Sequence, residues 1–167
     1  DSNPANDTNV DQTTIYVFTQ FVMNAGLNDA WFNPLTDGQG FFITVFPNLN
    51  FITLAWFTYD TELPPEDVTA NLGDPGHRWM TAGGVIDMEK SVMNIEFTSG
   101  GIFDTPSVID RTDPPGSDGT LTIKFDNCSS GTIDYDITSS DLKGTVPIQR
   151  VAADNIALCN ALLKASQ

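Results

Sequence analysis

Residues 120–137, TLTIKFDNCSSGTIDYDI, contain two alternating runs of apolar and polar residues joined by a short polar turn. The apolar positions of the two runs are Leu121, Ile123, Phe125, Ile133, Tyr135 and Ile137. Successive side chains of a β-strand point to opposite faces, so this alternation predicts two strands that each bury one face. The turn between them is short enough for a hairpin.

Other short segments with the composition of β-strands follow one another along the chain, and turn residues separate them. The two strands of the hairpin described above are predicted at residues 120–126 and 132–138. Further strands are predicted at residues 41–46, 51–59, 78–86, 91–98 and 142–151. After residue 151, Ile156, Cys159 and Leu163 recur at helical spacing, which predicts a short C-terminal helix with Asp154 as its N-cap. The sequence therefore predicts an all-β domain of about 7–8 strands, an antiparallel meander closing into a barrel or, alternatively, a two-sheet sandwich. Closure is favoured because consecutive hairpins of similar length leave no free edges.

The charge balance is strongly acidic. The chain has 22 acidic residues against 7 Lys and Arg, a net charge of −15. Such a surface repels nucleic acid and anionic lipid, so neither is expected as a partner. No apolar run reaches the roughly 18 residues of a membrane span.

One acidic loop raises the question of a cation. Asp110, Asp113 and Asp118 lie close together with two glycines, and Ca²⁺ is bound by several carboxylate and carbonyl oxygens. The competing interpretation is a turn rich in Asp because Asp suits turns. No cofactor is expected otherwise, and calcium is the one alternative.

The two cysteines and the chain start indicate an exported protein. An even number of cysteines, Cys128 and Cys159, suggests one disulfide bond, with two buried thiols as the alternative. The sequence begins DSNPAN, without Met or an apolar leader, as expected of a mature chain after signal-peptide removal, although a trimmed chain would begin in the same way.

The first 25 residues differ from the rest. We expect an N-terminal extension over residues 1–25 and a single β-domain over 26–167. Within the extension, residues 13–22 read TTIYVFTQFV, which is apolar on both faces. That pattern predicts a strand buried on both sides or covered by a partner. The candidate partner-binding residues are Ile15, Val17, Phe18 and Phe21.

The sequence contains little that indicates catalysis. His77 is the only histidine, and no serine lies in a nucleophile-elbow context, so no catalytic residue is assigned. Four aromatic residues near predicted strand ends, Trp31, Trp56, Tyr59 and Trp79, are candidates for holding a sugar or a flat apolar ligand. The alternative is that they belong to the core.

Several motifs together resemble a family of secreted proteobacterial β-rich proteins and modules of uncharacterised function. The motifs are GLNDAWFNP (26–34), DGQGF (37–41), WFTYD (56–60), GDPGHRW (73–79), FDNC (125–128), GTIDY (131–135) and PIQR (147–150). The resemblance covers roughly residues 26–160. It implies an exported β-domain, extracellular, on the cell surface or in the periplasm, with a Cys128–Cys159 disulfide bond.

Two functions follow from these expectations. The first is a non-enzymatic extracellular structural or interaction protein that assembles with copies of itself, head-to-tail into a filament, through its N-terminal strand. The second is a secreted barrel that binds a small ligand, a sugar or an apolar molecule, beside the aromatic residues.

Overall fold

The computed structural model describes residues 21–63, 65–67, 77–111 and 117–166. Ile15, Val17 and Phe18 of the predicted partner-binding strand lie outside these residues, as does Asp113.

The described residues form ten strands and one α-helix, with two short 3₁₀ helices at Ala25–Leu27 and Pro47–Leu49. The elements are β1 (Asp29–Phe32), β2 (Gly40–Phe46), β3 (Phe51–Tyr59), β4 (His77–Asp87), β5 (Lys90–Glu96), β6 (Thr98–Ser99), β7 (Asp110–Arg111), β8 (Gly119–Phe125), β9 (Ser130–Ile137), β10 (Leu142–Arg150) and α1 (Ile156–Ala165).

Eight strands close into a barrel in the order β1-β10-β9-β8-β5-β4-β3-β2. Each neighbouring pair is antiparallel, and β10 returns to β1 to complete the ring. The small β6–β7 sheet is inserted in the connection between β5 and β8. The predicted all-β meander with a short C-terminal helix is confirmed, in its barrel form.

The alternation seen in the sequence is the inside–outside alternation of a barrel wall. In β3, Ile52, Leu54 and Trp56 are buried, and Ile123 and Ile133 face each other across β8 and β9. The seven strands predicted outside the N-terminal extension all appear, with ends shifted by a few residues. Strand β1 was not predicted, because it is only four residues long and buries a single side chain, Trp31.

One end of the barrel, here called the closed end, is covered by the 3₁₀ helix Ala25–Leu27 and by α1. A Cys128–Cys159 disulfide bond, with a Cα–Cα distance of 5.9 Å, fixes α1 to the β8–β9 turn. At Gly26 a Cβ would lie 2.4 Å from the Cys159 Cα, so only glycine lets the two helices approach this closely. The predicted disulfide bond is confirmed.

The predicted N-cap of α1 is wrong. The capping position is Asn155 rather than Asp154, and its side chain makes no capping hydrogen bond. Its Nδ2 instead donates to the carbonyl of Asn28 at 3.1 Å, which ties the start of the helix to the barrel. The Asn155 side chain is therefore used for a contact with the barrel instead of a capping hydrogen bond within the helix.

The closed end also contains a buried cation, Arg150, whose side chain is 3% exposed. Its Nη1 donates to Asp29 Oδ2 at 2.6 Å, its Nη2 to the carbonyl of Gly26 at 2.6 Å, and its Nε to the carbonyl of Cys128 at 2.5 Å. The guanidinium also lies 4.5 Å from the ring centroid of Trp31. Burial of a charge is tolerated only when it is paired and hydrogen-bonded in this way.

Replacement of Arg150 should therefore destabilise the barrel severely. In Arg150→Met the carboxylate of Asp29, only 13% exposed, loses its cation, which should cost about 3–5 kcal/mol in the free energy of unfolding. Urea denaturation measures the loss. The matched control is Lys143→Met, which breaks the exposed Lys143–Asp136 ion pair and should change stability little. Equal effects of the two variants would contradict this account.

Candidate functional site

The opposite end of the barrel, here called the mouth, opens into a cavity of about 460 Å³. The connections β1–β2, β3–β4, β5–β8 and β9–β10 lie at this end. Its apolar wall consists of Phe41, Trp56, Met80, Tyr135, Ile137 and Val146. Polar groups around it include Asn33, Gln39, Thr58, Asp60, Arg78 and Ser139. An apolar concavity with a few polar groups at its rim is the usual form of a ligand site, and a barrel mouth is a usual place for one.

Three aromatic rings form the wall of this mouth cavity. The ring of Trp56 is 5.1 Å from that of Phe41 and meets that of Tyr135 edge-on at 5.5 Å between centroids. Trp56 keeps 8% of its surface exposed, so part of the indole is reached from the cavity. Such edge-to-face packing fixes the rings, and a flat apolar face entering the cavity would meet a preformed surface.

A glycine positions the Tyr135 ring. Gly144 pairs with Tyr135 across β9 and β10, and a Cβ at Gly144 would lie 2.5 Å from the Tyr135 hydroxyl oxygen. The tyrosine ring therefore lies across the bare backbone of its neighbour. A side chain at position 144 would push the ring away and change the cavity.

The rim is held by polar contacts between connections. Thr58 Oγ1 donates to Gln39 Oε1 at 2.6 Å, and Arg78 makes an ion pair with Asp60. Gly38, with φ +73°, would place a Cβ 2.0 Å from the Tyr59 hydroxyl oxygen. Glycine is thus required both by the backbone conformation and by the tyrosine that covers it.

The four aromatic residues singled out in the sequence do not form one cluster. Trp56 and Tyr59 both line the mouth cavity. Trp31 lies at the closed end, 1% exposed, where its Nε1 donates to the carbonyl of Leu27 at 3.1 Å. Trp79 is 53% exposed and opposite Phe57 on the outer wall. The structure therefore brings two of the four together and adds Tyr135, which the alternation pattern marked only as core-facing, and Phe41, the first residue of a predicted strand.

Phe21 lies against the closed end of its own barrel. It is half-buried, with its ring 6.4 Å from that of Phe125. Two residues later, the Met23 amide donates to the carbonyl of Met88 at 3.0 Å. The described chain thus begins beside the β4–β5 turn.

Asp118, one of the three aspartates considered for calcium, already has protein partners. Its Oδ1 accepts from the Ser139 amide at 2.7 Å and its Oδ2 from the Ser139 hydroxyl at 2.5 Å. It therefore ties the start of β8 to the β9–β10 turn at the mouth. Asp110 is exposed in β7, paired with Ser99. In the described part of the chain no group of three or more His, Cys, Asp or Glu residues is placed to hold a metal ion. Calcium binding stays a prediction.

Four ionisable groups line the described part of the mouth. They are Tyr59, Asp60, Arg78 and Tyr135, and Asp60 and Arg78 form an ion pair. The lining residues also include Ser139, whose hydroxyl donates to the Asp118 carboxylate.

No protein-family model matches this chain, and neither the curated proteins nor the solved structures include a match to it. The resemblance to secreted proteobacterial proteins therefore stays an expectation. Within the described residues, the helices are all too short or too polar to cross a bilayer.

Asp118→Ala tests what this carboxylate does. Loss of its two hydrogen bonds leaves the Ser139 amide without its acceptor, and the variant should lose about 1–3 kcal/mol of unfolding free energy. Asp110→Ala is the matched control and should be neutral. Both are measured by thermal or urea unfolding with EDTA and with added Ca²⁺. An Asp118→Ala loss that appears only with Ca²⁺ would show that the carboxylate acts as a calcium ligand instead.

Proposed function

We propose that this chain is an extracellular, non-enzymatic binding protein whose barrel mouth takes an apolar-faced group, such as a sugar face or an aromatic ring. The observation that carries the proposal is the 460 Å³ cavity walled by Phe41, Trp56 and Tyr135. Towards the closed end, side chains fill the barrel interior, among them Ile52, Ile123 and Ile133, whereas the interior at the mouth is not filled. In a small barrel, such an unfilled part of the interior is the space in which one ligand fits.

The polar rim supports the same proposal. The apolar wall of such a cavity contributes affinity by burying apolar surface of the ligand, and polar groups at the rim fix the orientation of the ligand. Gln39, Thr58 and Ser139 offer uncharged donors and acceptors there, which suit hydroxyl or amide groups of a neutral ligand. The ligand is therefore expected to be largely neutral.

Location outside the cytoplasm is supported by the disulfide bond. Disulfides form and persist chiefly in oxidising compartments, and Cys128–Cys159 joins two parts of the chain 31 residues apart. The acidic surface, with a net charge of −15, keeps such a protein dispersed and discourages binding to nucleic acid.

Self-assembly through the N-terminal segment is the second candidate function. It is favoured by a specific feature of β10 beside the same cavity: over residues 142–148 the edge of β10 that faces β1 is open, because no described strand pairs with it there. Both candidates use the mouth, and they differ in what enters it.

The three tryptophans allow a direct test, because they occupy three different environments. A panel of neutral aromatic fragments and sugars is screened by the indole N–H signals in two-dimensional NMR. We expect binders to shift the Trp56 signal and leave those of Trp31 and Trp79 in place. Trp56→Leu should weaken the best binder by about tenfold, the order of one aromatic contact.

Trp79→Leu is the matched control and should bind as the wild type does. If no compound shifts the Trp56 signal, or if binders shift only Trp79, the mouth is not the binding site.

A further inference from the structure

Strand β10 has an edge that is only partly covered. On one side it pairs with β9 from Leu142 to Gln149. On the other side β1 pairs with it only at Gln149 and Arg150, because the β1 chain leaves the barrel wall after Phe32. No strand of the described residues pairs with β10 on that side between positions 142 and 148.

The direction of the main-chain groups follows from two hydrogen bonds. The amide of Arg150 donates to Ser129 on the β9 side, at 3.3 Å, whereas that of Val151 donates to Ala30 on the β1 side, at 3.0 Å. Backbone groups alternate between the two neighbours along an antiparallel strand, and the β9–β10 register has no bulge. Lys143, Thr145 and Pro147 therefore direct their backbone groups towards the open side.

Pro147 agrees with this orientation. Proline has no N–H to donate, and within a sheet it occurs where the missing donor would face an open edge. The edge still offers the carbonyls of all three residues and the amides of Lys143 and Thr145. It spans residues 143–147, roughly 16 Å of strand.

The open edge lies beside the mouth cavity. Leu142 and Val146 of β10 line the cavity on one side, and Asn33, Thr36 and Gln39 of the β1–β2 connection line it on the other. A strand laid along the β10 edge would place alternate side chains in the cavity, against Trp56 and Tyr135, and the others outside.

We infer that the open β10 edge and the mouth cavity together receive residues 13–20 of a second copy of this chain. The inference rests on the proposed function, since it names what enters the mouth. The segment reads TTIYVFTQ, which carries no charge and is apolar on both alternating faces. Eight residues extend over roughly 26 Å, enough to cover the edge. Main-chain pairing supplies affinity in this mode of recognition, and side chains in pockets supply specificity.

The same segment of the same chain cannot cover the whole open edge. The described chain begins at Phe21, beside Phe125 and the β4–β5 turn at the closed end. From there to β10 the distance around the barrel is three strand spacings, about 14 Å, and the near end of the open edge, Pro147, lies roughly 10 Å up the strand from Arg150. The direct path to Pro147 is therefore roughly 17 Å, which leaves only about two or three of the eight extended residues to pair with the five-residue edge. A second copy can lay the whole segment along it.

Two edge features limit unspecific pairing. Proline and lysine on an edge strand discourage random addition. Here, however, the Lys143 Nζ lies 2.9 Å from Asp136 Oδ2 of β9, so its contact is on the side of β10 away from the open edge. A matching strand can therefore still add.

The geometry makes the contact head-to-tail. The donor segment leaves from the closed end of one copy and enters the mouth of the next. Such a contact uses two different surfaces, and a row of copies that does not close into a ring becomes a filament.

The test uses the full chain with Thr145→Pro, which removes the edge amide and costs no main-chain hydrogen bond to β9. It also removes the hydrogen bond from Thr145 Oγ1 to Asp134 on β9, a loss that the control Thr145→Ala shares. We expect light scattering and native mass spectrometry to show that the wild type forms multimers of the 18.1 kDa chain. For Thr145→Pro we expect a dissociation constant of the multimer at least about tenfold higher. The matched control is Thr145→Ala, which keeps the amide and should assemble as the wild type does. A monomeric wild type, or equal assembly of all three proteins, overturns the inference.

Cysteine trapping identifies the occupant. The Thr145 side chain faces outward, so Thr145→Cys combined with either Val17→Cys or Phe18→Cys should give disulfide-linked multimers from only one of the two pairs. A crosslink within one chain, or none from either pair, contradicts the second-copy assignment. If small fragments still shift the Trp56 signal in those cases, the proposed binding function stands without this partner.

Discussion

The guanidinium of Arg150 is the contact on which the closed end depends. Its hydrogen bonds reach Asp29 and Gly26, which lie 121 and 124 residues away along the chain, and also the β8–β9 turn at Cys128. The first and last strands of the barrel thus meet through one side chain as well as through their short ladder. The disulfide bond then fixes α1 to the same turn. A barrel closed by only two register pairs between β1 and β10 needs this additional attachment.

Much of the barrel wall could be predicted, because a wall strand has one buried face and therefore a period of two. The segments around Ile123, Ile133 and Leu54 show that period clearly, and each is a strand. Strand β1 lacks it, since Trp31 is its single buried residue and the strand is too short for a pattern. The capping of α1 was missed for a different reason. Asn155 bonds to Asn28, a contact between residues 127 apart that no local pattern contains.

Only two of the four aromatic residues that the sequence suggested for the site, Trp56 and Tyr59, line the mouth cavity. Proximity to a strand end does not tell which end of the barrel, or which face of the wall, a residue occupies. Trp31 and Trp56 both point inward, but the first lies at the closed end and the second at the mouth. Trp79 precedes the buried Met80, and two adjacent apolar residues hide which one faces inward. The role of Tyr135 depends on Gly144 across the ladder, so it needed the register as well as the pattern.

The division between a fixed closed end and a mouth built from connections bears on how this sequence can diverge. The covalent bond, the buried ion pair and the close helix contact all lie at one end, whereas the connection from β5 to β8 begins and ends at the other. Loops tolerate insertions and substitutions far better than the elements they join. The mouth loops of this barrel can therefore change, and with them the shape of the cavity, while the contacts that stabilise the opposite end stay as they are.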